Sequence, residues 1–402
     1  MTTKVYIHQF SSLSAAGDNA GYRESIFAEK RLALPWIEDF AGNRIRFGQI
    51  DERYLISEKT IKERFPHVLN NPTLRWGRGN RLAAALAIPL VENVNHLIEK
   101  YGADRVALVI GASVAGMTET ERFFFEGKKD SAYRDTDLEM YNPARALKAI
   151  FKLKGPVYTI STACTSSTKA MISAARLIQC GAVDAALCGG LDAKSLFTIA
   201  GFESLGAVSS DLTQPFGEHR DGINLGEGGA LFILDKESSP YELSGWGESS
   251  DAYHISSPEP NAIAVQSAIK HALQMSEIEA ADFVCAHGTG TRKNDEMEAL
   301  AIHNLMPNAY VCSTKTVTGH TLGGAGALCA AAALLSLDTQ KLPTHLIEDN
   351  VDPLIATIKL TVKAATSGAI SSVLCNSFAF GGNNAVIVIK KNNNAAHRPL
   401  SQ

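Results

Sequence analysis

Cys164 is the first candidate for chemistry, because it stands between a short apolar strand and a helix built from small residues. The predicted strand is Val157–Ile160, and the residues that follow Cys164 are typical of a helix start: Thr165, Ser166, Ser167 and Thr168. A helix N-terminus favours an anion, so we expect this position to lower the pKa of the thiol and raise its reactivity. The pattern indicates a nucleophile, although a small buried core cysteine would give the same sequence.

Two histidines stand at similar places further along the chain. His287 follows strand-like residues 282–286 and opens HGTGT, and His320 closes STKTVTGH after the strand-like Tyr310–Cys312. Open α/β folds place ligands at the carboxyl ends of strands. A lone histidine is more often structural, but two of them with a cysteine at a helix start favour one shared catalytic site.

The elements that must position these residues alternate between strands and helices. Both halves of the chain contain a strand, a turn of small residues and a helix made of Ala, Ser and Gly. We predict an α/β fold whose parallel or mixed sheets are covered by helices. One such helix is predicted at 82–101. Ser-Ser-Pro within residues 237–241 marks the best internal boundary, and the polar residues 392–402 predict a disordered tail.

Size, charge and cysteine use limit the class of protein. The chain has 402 residues, of which 45% are hydrophobic, so it can bury a large core. The net charge of -4 gives no reason to expect nucleic acid, and seven scattered cysteines without a CxxC pair argue against a disulfide framework or a zinc ribbon. With no visible signal peptide and no apolar stretch long enough to span a bilayer, we expect a cytoplasmic protein.

A basic cluster of Arg75, Arg78 and Arg81 precedes the apolar part of the predicted helix 82–101. Their spacing of three residues would place them on one helical face. A solvated surface is the usual outcome for such a cluster. The alternative is a docking site for an acidic partner.

Four motifs together resemble the β-ketoacyl-[acyl-carrier-protein] synthases, in the elongating branch of the thiolase superfamily. They are TACTSS at Cys164, HGTGT at His287, STKTVTGH at His320, and NSFAFGG near the C-terminus, and they occur in family order. The resemblance covers nearly the whole chain, from Lys4 to Lys390. Four motifs in order are far more specific than any one of them alone.

The resemblance implies a duplicated thiolase-like fold, with two mixed five-stranded sheets in α-β-α-β-α layers. The N-terminal half would be residues 1–238 and would carry the cysteine, with a cap insertion at about 119–145. The C-terminal half would be residues 239–391 and would carry both histidines and the gating loop.

The Cys-His-His set implies a decarboxylating, chain-elongating enzyme, since thiolases have Cys-His-Cys and initiating synthases Cys-His-Asn. Cys164 would take an acyl group from acyl carrier protein as a thioester. His287 and His320 would donate hydrogen bonds to the malonyl thioester oxygen as carbon dioxide leaves. The resemblance further implies a dimer, with a copy of this chain or a related subunit, and neither a metal nor a redox cofactor.

The family pattern implies roles for further residues. Lys315 would pair with Glu298 and support the site electrostatically. Phe380, with Phe378 beside it, would belong to a gating loop, and the backbone N–H groups of Cys164 and Phe380 would form the oxyanion hole. The remaining matches are Thr289 and Thr291 for the pantetheine arm, Val114 at the acyl pocket, and the three arginines near the carrier-protein site. Loop capping, core packing and exposed helix charges are the ordinary alternatives for these residues.

The sequence departs from the family pattern in its opening loop HQFSSLSAAG and in NSFAFGGNN, where Ala379 and Asn383 replace the usual Gly and Thr. If position 379 needs a positive φ, alanine is costly there; otherwise it stiffens the gate. These departures suggest a divergent member in a specialised pathway, such as polyene or polyketide synthesis. Two alternatives stay open: a non-catalytic chain-length partner of another ketosynthase, and a biosynthetic thiolase.

Overall fold

Eleven strands of the described residues form one long mixed sheet, and three more form a small one. The computed structural model describes residues 3–71, 74–125, 135–362 and 369–395. The strands are β1 (Tyr6–Leu13), β2 (Trp36–Glu38), β3 (Arg44–Gly48), β4 (Val106–Gly111), β5 (Val157–Ile160), β6 (Ala185–Asp192), β7 (Leu225–Gly226), β8 (Gly228–Asp235), β9 (Tyr241–Ser250), β10 (Phe283–Cys285), β11 (Tyr310–Cys312), β12 (Lys359–Leu360), β13 (Ser372–Ala379) and β14 (Asn383–Lys391).

The α-helices of the described residues connect these strands and cover the sheet. They are α1 (Asn19–Ile26), α2 (Glu58–Arg64), α3 (Arg78–Ala87), α4 (Val91–Tyr101), α5 (Met117–Phe125), α6 (Asp135–Leu138), α7 (Asn142–Phe151), α8 (Ser166–Gln179), α9 (Leu196–Ser204), α10 (Ile263–Met275), α11 (Arg292–Leu305), α12 (Lys315–Thr318) and α13 (Ala325–Thr339). Part of the predicted cap insertion, residues 126–134, and most of the predicted tail, residues 396–402, lie outside the described residues.

Ten strands of the long sheet form two halves with the same strand order and the same strand directions, and β12 lies beside β11 at one edge. In the half β5-β4-β6-β8-β1, β4 is parallel to β5 and β6, while β8 is antiparallel to β6 and β1. In the half β11-β10-β13-β14-β9, β10 is parallel to β11 and β13, while β14 is antiparallel to β13 and β9. This repeat confirms the predicted duplicated fold.

The two predicted sheets are joined into one by a short pairing of β1 with β9. Tyr6 lies opposite Glu242 and Ile7 opposite Tyr241, so the join is only two residue pairs long. Residues 237–241 lie between β8 and β9, where the chain passes from the first half to the second. The division into residues 1–238 and 239–391 stays a prediction.

Two helices of small residues, α8 and α13, lie between the two halves of the sheet and share one core with both. A Cβ on Gly326 of α13 would lie 2.0 Å from the hydroxyl oxygen of Thr168 on α8, so this close approach requires glycine. Helices α3, α4 and α7 cover the outer face of the first half, and α10 and α11 that of the second. These are the predicted α-β-α-β-α layers.

One segment of the described residues, Leu322–Thr339, is long and apolar enough to cross a membrane. However, 83% of it is buried inside the protein, where it forms a 3₁₀ turn followed by the central helix α13. Such burial is typical of a core helix in a folded domain.

The prediction of a single helix at 82–101 is wrong. The chain forms α3 from Arg78, a 3₁₀ turn at Ile88–Leu90, and then α4. Pro89 lies in that turn, and proline has no N–H to continue an α-helix.

Candidate active site

Cys164 lies in the tight turn between β5 and α8. Ala163 before it has a φ of 52°, in the left-handed region, which is uncommon for a residue with a side chain. The hydroxyl of Ser166 donates to the carbonyl of Ala163 at 2.6 Å and accepts from the N–H of Thr162 at 2.9 Å. The first residue of the helix therefore fixes the turn that presents the sulfur.

The three predicted catalytic side chains meet at one place. Nε2 of His320 lies 3.0 Å from Sγ of Cys164, and the ring of His287 stands edge-on to that of His320 with centroids 5.3 Å apart. The sulfur and one nitrogen of each ring all lie within 4.8 Å of one another. All three residues line a cavity of about 430 Å³.

Burial decides the protonation state of this group. It raises the pKa of Cys164 to about 12, against the opposing charge of Lys315, so the predicted lowering of this pKa is wrong. Burial, with the positive charge of Lys315, also holds the pKa of His287 and of His320 well below the usual range. The resting site thus holds a neutral thiol and two neutral imidazoles.

Lys315 and Glu298 both form hydrogen bonds with the backbone at His287, from two sides. Nζ of Lys315 donates to the carbonyl of His287, while the Glu298 carboxylate accepts from the N–H of His287 at 2.8 Å and of Gly288 at 2.7 Å. The predicted pairing of Lys315 with Glu298 is wrong as a direct ion pair: within the described part of the chain none joins them. Both charges act on one peptide segment instead.

Sequence reasoning missed Asn376, which supports Glu298. Its Nδ2 donates to Oε1 of Glu298 at 2.8 Å, and both residues are buried. Burial raises the pKa of Glu298 to about 7, although this bond and the backbone N–H groups of His287 and Gly288 oppose the rise. The only signal in the sequence was the position of Asn376 at the start of NSFAFGG.

The glycine-rich turn after β13 forms one wall of the cavity. Phe380 is 38% exposed and stacks on Phe202 at 5.5 Å, whereas Phe378 is buried, with its ring 5.9 Å from that of His287. Ala379 ends β13 and does not have a positive φ, so alanine carries no backbone strain there. The gating role of this turn stays a prediction.

Thr289 and Thr291 also line the cavity, with their hydroxyl oxygens 2.9 Å apart. Val114 does not line it. It is buried in a small apolar cluster that includes Ile223, and Ile223 does line the cavity. Val114 therefore supports the cavity wall from behind.

The prediction that the three arginines share one helical face is wrong, because Arg75 precedes α3, and each arginine has a carboxylate partner within the protein. Their role in carrier-protein docking stays a prediction. Arg78 pairs with the buried Glu227 at 2.5 Å and also with Glu52, and Arg81 pairs with Glu52 at 3.1 Å. Arg75 precedes α3 and pairs with Asp137 at 3.2 Å. None of the three lines the active-site cavity.

Two models of the same family match successive parts of the chain. The N-terminal domain of the beta-ketoacyl synthases matches residues 36–239, and their C-terminal domain matches residues 241–347. The chain belongs to the β-ketoacyl synthase family. The family predicted from the four motifs is therefore confirmed, and with it an acyltransferase of the condensing type.

Curated relatives of this β-ketoacyl synthase cover most of its length. The 3-oxoacyl-[acyl-carrier-protein] synthase 2 of Synechocystis sp. is 32% identical over 343 residues, which are 79% of this chain and 82% of that protein. The protein of the same name from Staphylococcus aureus (strain COL) is 30% identical over 351 residues, or 81% of this chain and 84% of the relative.

Solved structures agree with the fold. A chain of the complex of the ketosynthase ApeO with its chain length factor ApeC, from Xenorhabdus doucetiae, is 32% identical and superposes with a TM-score of 0.88, covering 97% of this chain and 98% of that one. A chain of the type II polyketide complex AntDE:AntF has a TM-score of 0.82, and at 22% identity it shows the fold alone.

Proposed function

We propose that this β-ketoacyl synthase is a 3-oxoacyl-[acyl-carrier-protein] synthase, which extends an acyl chain by decarboxylative condensation with malonyl carrier protein. The observation that carries the proposal is the contact of 3.0 Å between Cys164 and His320, with His287 alongside, at a cavity open to solvent. A nucleophile next to a base, with a second imidazole facing them, suits acyl transfer followed by condensation.

In the first half-reaction, the sulfur of Cys164 attacks the carbonyl carbon of an acyl thioester. The thiol proton passes to Nε2 of His320, which faces the sulfur and is neutral at rest. The bond from the acyl carbon to the sulfur of the pantetheine arm breaks, and the leaving sulfur takes that proton. The products are an acyl group on Cys164 and a free carrier thiol.

In the second half-reaction, malonyl carrier protein enters the same cavity. His287, and His320 in the tautomer with hydrogen on Nε2, donate hydrogen bonds to the thioester oxygen, where negative charge develops as carbon dioxide leaves. The resulting carbanion attacks the acyl carbon on Cys164. The carbon–sulfur bond breaks and a 3-oxoacyl thioester leaves on the carrier. The Cys164 thiolate takes the proton from Nε2 of His320, and one proton from solvent restores the neutral imidazole.

Lys315 and Glu298 serve this reaction as positioning residues, since they hold the His287 backbone and do not touch the sulfur. Thr289 and Thr291 are placed to bind the polar pantetheine arm in the cavity. We propose that the arm is the only cofactor-like group needed and that it comes with the substrate. The seven free cysteines support a place for the enzyme in the reducing cytoplasm.

A related subunit is the proposed dimer partner. The complex of ApeO with ApeC and "The ishigamide ketosynthase/chain length factor", of which a chain is 25% identical to this one, are both assemblies with a chain length factor. A role as the non-catalytic member of such a pair is disfavoured here, because Cys164, His287 and His320 are all present and in contact. We propose the catalytic role, in a specialised acyl-chain pathway.

The test is to incubate the protein with an acyl carrier protein and then with labelled malonyl carrier protein. We expect mass spectrometry to find the acyl group on Cys164 and expect release of labelled carbon dioxide. His287→Ala should keep the acylation and lose the carbon dioxide. Acyl exchange without carbon dioxide release would instead indicate a thiolase, and no label on Cys164 would exclude an active synthase.

A further inference from the structure

The ring of His320 has a hydrogen-bond contact at only one of its two nitrogens. Nε2 faces the sulfur of Cys164 at 3.0 Å, whereas Nδ1 is buried and has no hydrogen-bond partner among the described residues. A catalytic imidazole is usually oriented by a bond to its other nitrogen. The position of this ring therefore depends on the backbone that carries it. On one side, the N–H of His320 donates to the carbonyl of Asn224 at 2.7 Å.

The turn that follows His320 contains a residue in an unusual backbone conformation. Leu322 has a φ of 53°, in the left-handed region that residues with a side chain seldom adopt. The N–H of the next residue, Gly323, donates to Oδ2 of Asp192 at 2.7 Å. A Cβ on Gly323 would lie 2.6 Å from that oxygen, so this approach requires glycine. Because such a conformation persists only where the surrounding structure fixes it, the Asp192 carboxylate stabilises this turn.

The same carboxylate is also bonded to the residues that follow β4. Its Oδ1 accepts from the N–H of Ser113 at 3.0 Å and of Val114 at 2.8 Å, and its Oδ2 accepts from the Ser113 hydroxyl at 2.6 Å. Strand β4 is parallel to β5, so its carboxyl end lies beside the turn that presents Cys164. Asp192 therefore connects the turn after His320 to the part of the sheet that carries the sulfur.

We propose that Asp192 is a positioning residue for the condensing reaction and sets the distance between Nε2 of His320 and the sulfur of Cys164. This inference rests on the proposed function, in which His320 takes the thiol proton. Asp192 acts only through the backbone, because it ends β6, is 1% exposed and does not line the active-site cavity. A misplacement of about 1 Å by a residue away from the chemistry can slow a reaction about 100-fold.

Asp192→Asn is the main test, because it changes the bonds of one carboxylate oxygen only. The amide oxygen can still accept from the N–H groups of Ser113 and Val114, whereas an amide nitrogen in the place of Oδ2 cannot accept from the N–H of Gly323. We measure single-turnover acylation of Cys164 by carrier protein loaded with an acyl group. The maximum rate should fall by about tenfold or more, and the half-saturating concentration should not change.

Asp235→Asn makes the same chemical change in another buried aspartate and is the matched control. In the pairing of β6 with β8, Asp235 lies opposite Ala185 at one end, whereas Asp192 lies opposite Gly228 at the other. The maximum acylation rate of this control should change by less than about twofold. The buried Cys188 of β6 should stay unmodified by iodoacetamide in both variants, which shows that the sheet is folded.

Ser113→Ala is a second variant, which tests the same connection if D192N does not fold. It keeps the Asp192 carboxylate and removes the hydroxyl that also accepts from the N–H of Gly323, at 3.1 Å. It should slow acylation by about threefold at the same half-saturating concentration.

An unchanged acylation rate in either folded variant would overturn the role of Asp192 and leave the proposed function intact. An equal loss in Asp235→Asn, or a loss that disappears at saturating carrier protein, would overturn it as well. If the carrier protein does not acylate the wild-type protein, the proposed function itself fails, and this role fails with it.

Discussion

Nε2 of His320 lies 3.0 Å from the sulfur of Cys164, and both residues are almost completely buried. Burial raises the pKa of Cys164 to about 12 and lowers that of His320, so the pair rests as a neutral thiol beside a neutral imidazole. The nucleophile is therefore formed when the acyl thioester arrives, with the proton transferred across this contact. A buried thiol that stays protonated is also protected from unwanted oxidation and alkylation.

This protonation state predicts slow alkylation of Cys164 by iodoacetamide near neutral pH. Because the thiolate fraction rises tenfold per pH unit below the pKa, the rate should climb steadily between about pH 6 and pH 10 without a plateau. Mass spectrometry of the Cys164 peptide gives the rate, and the exposed Cys180 in the same digest is the reference for reagent strength. A rate independent of pH in this range would reveal a preformed thiolate and contradict the assignment.

Removal of the Lys315 charge should make Cys164 less reactive still. The charge lowers the pKa of Cys164, so Lys315→Met, which keeps the length of the side chain, should raise that pKa further. We expect the alkylation curve to move to higher pH, while acylation should change less, because the same charge also lowers the pKa of His320, which takes the thiol proton. Lys270→Met is the control for loss of a distant charge. Identical alkylation curves in the two variants would show that Lys315 has no electrostatic effect on the sulfur.

The local fold could be predicted where the sequence pattern is itself the cause. Val157–Ile160 was predicted with the bounds observed, and the small residues of α8 and α13 do allow close packing between the sheet halves. Pro89 in the sequence indicated that the predicted helix 82–101 is interrupted, but the helical spacing of the apolar residues favoured one continuous helix. The continuous sheet was not predictable, because it depends on a pairing of β1 with β9 that is only two residues long.

The identity of the reacting residues was predictable, but their electrostatics were not. The strand-end positions of Cys164, His287 and His320 indicated one site, whereas the direction of the Cys164 pKa depends on burial that only the folded chain creates. The partner of Arg78 was hidden for a similar reason, since Glu227 lies 149 positions away in the sequence. The positions of charged residues in the sequence do not show which of them form ion pairs in the folded protein.

Glu298 should make the stability of the enzyme depend on pH in an unusual direction. Its pKa is about 7 in the folded protein against 4.5 in the reference state, so the folded state binds the proton more tightly. The stabilisation that this bound proton gives the folded protein is therefore complete below pH 4.5. It is lost as pH rises to about 7, which lowers the free energy of unfolding by about 3 kcal/mol. Buried His287 and His320 give the opposite slope in this window, so the quantity to measure by urea unfolding is the difference in free energy of unfolding between the wild type and Glu298→Gln, which should fall as pH rises from 4.5 to about 7.

The exposed Glu99, also on a helix, supplies the comparison for this experiment. Glu99→Gln should keep the wild-type slope between about pH 4.5 and pH 7, because Glu99 is exposed and the change leaves the buried Glu298 in place. If Glu298→Gln and the wild type lose stability in parallel across that window, another group is responsible.

The three reacting side chains should also bind zinc, and bound zinc should inhibit the acylation of Cys164. One cysteine sulfur and two histidine nitrogens within 4.8 Å of one another are a donor set that zinc favours, and a small inward shift would give bonding distances. Added Zn²⁺ should stop acylation of Cys164, EDTA should restore it, and Mg²⁺ should have no effect because it prefers oxygen ligands. Metal analysis after dialysis should find zinc on the wild type only; retention by Cys164→Ala would place the metal elsewhere.

The ion pair of Arg78 with Glu227 predicts a large loss of stability when it is broken. The side chain of Arg78 is 12% exposed and that of Glu227 is 1% exposed, so Arg78→Met would leave a buried carboxylate without its counter-charge. The N–H groups of Ile50 and Lys194 still donate to that carboxylate, which limits the cost to about 3 kcal/mol.

Arg81→Met removes a pair with Glu52, whose side chain is 58% exposed, and should cost less than about 1 kcal/mol. Urea unfolding measures both; equal losses would show that burial does not set the strength of these pairs.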